Sequence, residues 1–138
     1  MNAITLNTNF FIGGKATFTV DNGKGVHYTF RINKSKKCGL FFASLLTGSD
    51  NVNSYTYMGI FKPLTGEVVL TYASKFNDIT IPVKVLRWAM KHVYGDKMLP
   101  EGYQIRHEGK CGCCGRALTE PTSLTIGIGP ECRKRFGM

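Results

Sequence analysis

Four residues near the C-terminus combine metal-ligand chemistry with metal-ligand spacing: His107-x3-Cys111-x2-Cys114-x17-Cys132. Three soft thiolates and one imidazole match tetrahedral Zn2+. Cys114-Gly115 closes a Cys-x-x-Cys-Gly knuckle, a tight turn that sets two thiolates on one side while the glycine lets backbone amides point at sulfur. The chain returns seventeen residues later at Gly129-Pro130-Glu131-Cys132. Pro130 suits a helix start, which puts Cys132 in a first turn, where free N–H groups favour a thiolate. His107 is the expected fourth ligand, at the end of a short strand, Tyr103–His107. Cys113 competes, although as the neighbour of Cys114 it should point away; Cys38 and His92 remain open as distant alternatives. Cys38 otherwise reads as a buried small apolar residue before a strand.

The metal is expected to be structural. A hydrolytic site keeps an open coordination position and a general base beside it, and nothing marks Glu108 or Glu131 as one. The zinc-deaminase pattern of His-x-Glu with Pro-Cys-x-x-Cys is not met. The sequence has no phosphate loop, nucleophile elbow or carboxylate pair, and Asp50 and Asp78 read as isolated loop residues with turn chemistry only. The chain is not expected to be an enzyme.

The elements that must position this cluster are legible along the chain. Residues 1–14 read as a lead-in strand or arm ending at Gly13-Gly14. Ala16–Val20 and Val26–Ile32 alternate apolar and polar residues around Asp21-Asn-Gly-Lys-Gly25, a hairpin signal. Gly39–Leu46 is apolar on both faces and is expected to be a central strand covered on both sides. Tyr55–Phe61 and Glu67–Tyr72 follow, separated by a turn at Lys62–Gly66. Short strands joined by tight turns imply an antiparallel sheet. Pro82 opens a helix that buries Val85, Leu86, Ala89, Met90 and Val93, and Gly95 ends it. The expected class is therefore α+β: an antiparallel sheet of about five strands with one packed helix, followed by a C-terminal Cys3His zinc finger. A β-rich domain over 1–100 carries a zinc-finger appendage over 101–138. The appendage has few large aliphatic residues and needs the metal as its staple.

The 138 residues carry 18 Lys+Arg against 9 Asp+Glu, a net charge of +9. That excess argues for an anionic partner, DNA or RNA. The candidate contacts are Lys84, Arg87 and Lys91 on the helix and Lys110, Arg116, Arg133, Lys134 and Arg135 in the finger. Residues 84–138 hold 10 basic and 5 acidic side chains, and residues 1–83 hold 8 and 4, so the finger does not monopolise the charge. Most sheet aromatics are expected in the core, with Tyr55 and Tyr57 the best candidates for stacking on bases. The alternative partner is a host nucleic-acid-processing or defence protein that this chain would inhibit. The sequence has no run of about 18 apolar residues, so no membrane association is expected. The N-terminus lacks a basic region followed by a long apolar run and is not expected to be a signal peptide. The expected location is the cytoplasm.

The stretch Arg106-His-Glu-Gly-Lys-Cys111-Gly-Cys-Cys114-Gly-Arg-Ala-Leu-Thr-Glu-Pro121-Thr-Ser123, followed by Gly127-Ile-Gly-Pro130-Glu-Cys132, resembles the DUF6011 type of zinc-finger segment. That pattern, HEG-x-C-x-x-CGR-x-LT-x-P-x-S and then GIGP-x-C, is common in phage and prophage proteins and covers about a quarter of this chain. The upstream residues Phe41–Asn51 and Tyr55–Gly59 also look like the β-rich segment that precedes this finger in related proteins. The resemblance implies zinc, His107 as a ligand, and phage or mobile-element origin, so that the expected cytoplasm is that of a bacterial host cell, and it implies no activity. Cys113 and Thr122 depart from the pattern without touching a proposed ligand.

Overall fold

The structure is a computed structural model that describes residues 6–49 and 54–137. Asp50, expected as an isolated loop residue, lies outside the described residues. The elements run α1 (Thr8–Phe11), β1 (Lys15–Asp21), β2 (His27–Lys34), β3 (Phe41–Leu46), β4 (Tyr55–Phe61), β5 (Val68–Val69), α2 (Ile81–Tyr94), β6 (Gln104–His107), α3 (Pro121–Ile126) and α4 (Pro130–Arg135).

The strands form one antiparallel sheet in the order β5-β4-β3-β2-β1-β6. The sheet therefore has six strands where about five were expected. The sixth is β6, which pairs with β1 in the register Phe18↔His107 and Val20↔Ile105. It lies within the segment read as the appendage. At the other edge the expected strand 67–72 shrinks to Val68–Val69. There Arg87 reaches from α2 and donates to the Val68 carbonyl through Nε at 3.2 Å and Nη2 at 2.8 Å. Its Nη1 pairs with Asp78 at 2.7 Å, so Asp78 does more than shape a turn.

One face of the sheet carries the core. Ala16, Phe18 and Val20 alternate inward from β1, Phe30 and Ile32 from β2, and Phe41, Ala43 and Leu45 from β3. Helix α2 covers this face with Val83, Leu86, Ala89, Met90 and Val93. Val83 takes the buried place expected of Val85, which sits half-exposed at the edge of the contact. Pro82 and Gly95 bound the helix as expected. The second face of β3 is only half-covered, by Phe42, Ser44 and Leu46, rather than sealed like the first. Tyr57 meets Phe42 edge-on at 6.0 Å, and the Arg31 guanidinium lies 3.9 Å from the Tyr55 ring centroid. Phe30, Phe41 and Phe61 are core residues, and Tyr72 is fully exposed.

Within the stretch read as a lead-in strand or arm, Thr8–Phe11 forms a helical turn. The Asn7 side chain accepts from the Asn9 N–H and caps it, and Phe10 and Phe11 turn inward, fully buried. Phe11 stacks edge-on against Phe18 at 4.9 Å. This turn plugs the end of the core that faces the C-terminal segment.

Candidate metal centre

The C-terminal segment leaves β6 and forms a knuckle. Lys110 bridges to Ala117, and the Gly115 N–H donates to the Cys111 carbonyl at 2.9 Å. Gly115 has φ +78°, a left-handed conformation that costs glycine nothing and side-chain-bearing residues roughly 1–2 kcal/mol. Helix α3 follows, an element not foreseen from the sequence, and then α4, opened by Pro130.

This path brings Cys111, Cys114 and Cys132 together. Their Sγ atoms all lie within 4.8 Å of one another, with Cys111 and Cys132 buried and Cys114 half-buried. Zn–S bonds of about 2.3 Å in a tetrahedron put sulfurs about 3.8 Å apart, so a small contraction would close the three thiols on an ion. The donor set fits Zn2+. Cys111 Sγ accepts the Cys113 N–H at 3.4 Å and the Gly129 N–H at 3.3 Å. Burial pushes the Cys111 thiol up, but the backbone N–H groups of Gly129, Cys114 and Cys113 outweigh it and bring the pKa down to about 7. Burial also raises the Cys132 thiol, and the neighbouring Cys113, Cys111 and Cys114 raise it further. The sulfur that collects backbone N–H groups is thus Cys111 rather than the helix-borne Cys132. The Gly129 N–H at the mouth of α4 points across the site to the knuckle.

His107 takes a different set of partners. The β6–β1 register sets it opposite Phe18. Its Nδ1 accepts the Gly109 N–H at 2.8 Å and its Nε2 donates to the Leu124 carbonyl. Its ring nitrogens do not join the 4.8 Å thiol group. Cys113 is half-buried, with the Arg135 Nη1 at 3.7 Å from its sulfur. Cys38 is exposed in the β2–β3 turn, not buried as expected, because the turn carries it clear of the sheet. His92 Nδ1 donates to the Trp88 carbonyl within α2.

The basic residues divide by partner. Arg133 is largely buried; it pairs with Glu120 Oε1 at 2.6 Å and donates to Ser123 Oγ at 3.0 Å and to the Ile128 carbonyl at 3.2 Å. It clamps α3 to α4, and with Ser123 accepting from it and donating to Glu120 the cluster is self-contained. The Arg133 guanidinium, helped by Ser123, holds the Glu120 carboxyl below its ordinary value. Arg87 is likewise engaged, by Asp78 and the Val68 carbonyl. Lys84, Lys91, Lys110, Arg116, Lys134 and Arg135 are exposed, Lys134 with Glu131 3.7 Å away.

The site is seated on the sheet by the N-terminal turn. A Cβ on Gly112 would lie 2.6 Å from the Phe10 ring and 2.7 Å from its carbonyl oxygen, so only glycine allows the knuckle to approach α1 this closely. The Lys15 N–H donates to the Gly112 carbonyl at 2.8 Å, and the Gly112 N–H to the Gly127 carbonyl at 2.9 Å. The sequence signalled the three thiols through their spacing. It gave no sign of the Glu120–Ser123–Arg133 clamp, whose members read as ordinary polar residues.

Residues 104–137 match a family of unknown function, DUF6011. That stretch takes in β6, α3, α4 and all three clustered thiols. No curated protein and no solved structure matches the chain. Among the described residues, no helix is long and apolar enough to cross a membrane.

Proposed function

We propose that this chain is a small basic protein of phage or mobile-element type that associates with nucleic acid, and that Zn2+ held by Cys111, Cys114 and Cys132 is its structural staple. The observation that carries the reading is the convergence of three thiols within 4.8 Å from two separate stretches of chain. Zinc there would tie the knuckle to α4, supplying cohesion that a segment with few large aliphatic residues lacks. The exposed Lys110, Arg116, Lys134 and Arg135 are carried by the same segment, and Lys84 and Lys91 by α2. Such residues bind phosphates with affinity that falls steeply as salt rises.

The test has two parts. Elemental analysis of protein purified without chelator should find one zinc per chain, and chelation should release hydrogen-exchange protection over residues 108–137. Gel shift with single- and double-stranded DNA and RNA should find binding at low salt that weakens as salt rises. Absence of metal overturns the staple. Absence of binding at low salt overturns the nucleic-acid reading and leaves a protein partner, of the host-enzyme class, as the better account of the charge.

A further inference from the structure

Away from the thiol cluster, a groove of about 310 Å3 lies between α2 and the β1–β2 hairpin. Its walls are Val26, Tyr28, Val85, Trp88 and Tyr103, with Lys84 among them. The volume falls at the lower end of small-ligand sites, roughly 300–1,000 Å3, which typically pair apolar walls with a few polar groups. Three of the lining residues are aromatic, and two of those rings are fixed against each other. Trp88 lies 5.1 Å from Tyr103 and 4.4 Å from His92, centroid to centroid. The His92 ring is in turn held by its hydrogen bond to the Trp88 carbonyl. The hairpin wall is fixed as well, because Asn22 Oδ1 accepts the N–H groups of Lys24 and Val26. Val26 nevertheless stays half-exposed, as does much of the apolar lip.

No carboxylate lines the groove. Lys84 is exposed at its wall and Lys24 on the hairpin turn, and the nearby Asp21 carboxylate is paired with Arg106 at 2.8 Å. A flat apolar group bearing a negative charge is the complement of this surface. We infer that the groove takes an unpaired base of a single-stranded nucleic acid, stacked among Trp88, Tyr103 and Tyr28, with a flanking phosphate at Lys84. This rests on the nucleic-acid reading above and gives it a position in the fold separate from the metal segment.

Trp88 is the single tryptophan of the chain and reports directly on the groove. Full-length zinc-loaded protein is titrated with oligothymidylate, with the corresponding duplex and with thymidine monophosphate, at low and raised salt. Single strand should quench Trp88 emission saturably, and duplex and mononucleotide should do so only at much higher concentration. By anisotropy of a labelled strand, Trp88→Leu should bind about tenfold more weakly, in line with one lost base stack. Lys84→Glu, an exposed substitution that leaves the core untouched, should also weaken binding and flatten its salt dependence. If the strand binds but Trp88 emission is unchanged and both variants bind like the wild type, the groove assignment is wrong while the nucleic-acid reading stands. If no strand binds at low salt, both fall. Equal quenching by mononucleotide and strand would also overturn the assignment to a strand.

Discussion

At the scale of single residues, the thiols and the imidazole have different partners. Cys111 is buried and receives two backbone N–H groups, which is what a thiolate ligand requires. His107 spends both ring nitrogens on Gly109 and Leu124, tying the end of β6 to α3. The two positions therefore answer differently to substitution when cobalt replaces zinc. Cys111→Ser should abolish the thiolate-to-cobalt charge-transfer band and the tight metal binding. His107→Gln should keep that band at near full intensity and lose only the tie to Leu124, worth about 1 kcal/mol. A His107→Gln spectrum altered in the cobalt d–d region would instead identify the ring as the fourth ligand. The spacing of Cys111, Cys114 and Cys132 made the cluster legible in the sequence. The partners of His107 were not, because they depend on the register of β6 against β1 and on a helix, α3, whose six residues have no apolar periodicity.

At the scale of elements, the meander was legible because alternation with period two and Gly-rich turns are local signals. What escaped were placements decided by distant partners. The strand at Tyr103–His107 was visible, but its place beside β1 was not. Thr8–Phe11 lies in the stretch expected to be a strand or arm, where two adjacent phenylalanines fit extended chain as well as a turn; burial against Phe18 and the Asn7 cap decide it. Both placements bind the thiol-bearing segment to the sheet, and each can be loosened separately. Phe10 is fully buried between Phe18, His107 and the knuckle glycine. Phe10→Ala should cost about 3–5 kcal/mol in urea unfolding, and should speed zinc loss to a colorimetric chelator because the knuckle loses its seat. The outer edge of β6 is pinned by Arg106, which donates to Asp21 at 2.8 Å. That bond, with the Gly23 N–H, holds the Asp21 carboxyl below its ordinary value. A carboxyl lowered in the folded state stabilises fully above its unfolded pKa of about 3.9 and loses that contribution as pH falls through the folded value. Wild type should therefore exceed Asp21→Asn in urea midpoint at pH 6 by a margin worth no more than about 1 kcal/mol. The margin should vanish near pH 2; one that persists there would show that the ion pair does not pin the strand.

At the scale of the whole molecule, a net charge of +9 is not nine equivalent contacts. Arg87 closes the β5 edge and Arg133 locks α3 to α4, and both guanidinium groups are already engaged by protein acceptors. Neutralising either removes a structural clamp, so the expected loss appears in thermal or urea stability. The exposed Lys110, Arg116 and Lys134 stand differently. Lys134 has Glu131 at 3.7 Å, both highly exposed, a pairing that contributes little and gives way readily to a phosphate. If these three residues meet phosphates, each released counterion adds about one unit to the slope of log K against log salt. Charge reversal at Lys110, Arg116 and Lys134 should then reduce that slope by about three units while leaving the unfolding midpoint within about 0.5 kcal/mol per site. Arg133→Gln should do the reverse, lowering stability with the slope unchanged in the folded fraction. A slope that stays constant through all three reversals would remove the metal segment from the nucleic-acid surface, and would leave α2 and the hairpin groove as the face on which the charge acts.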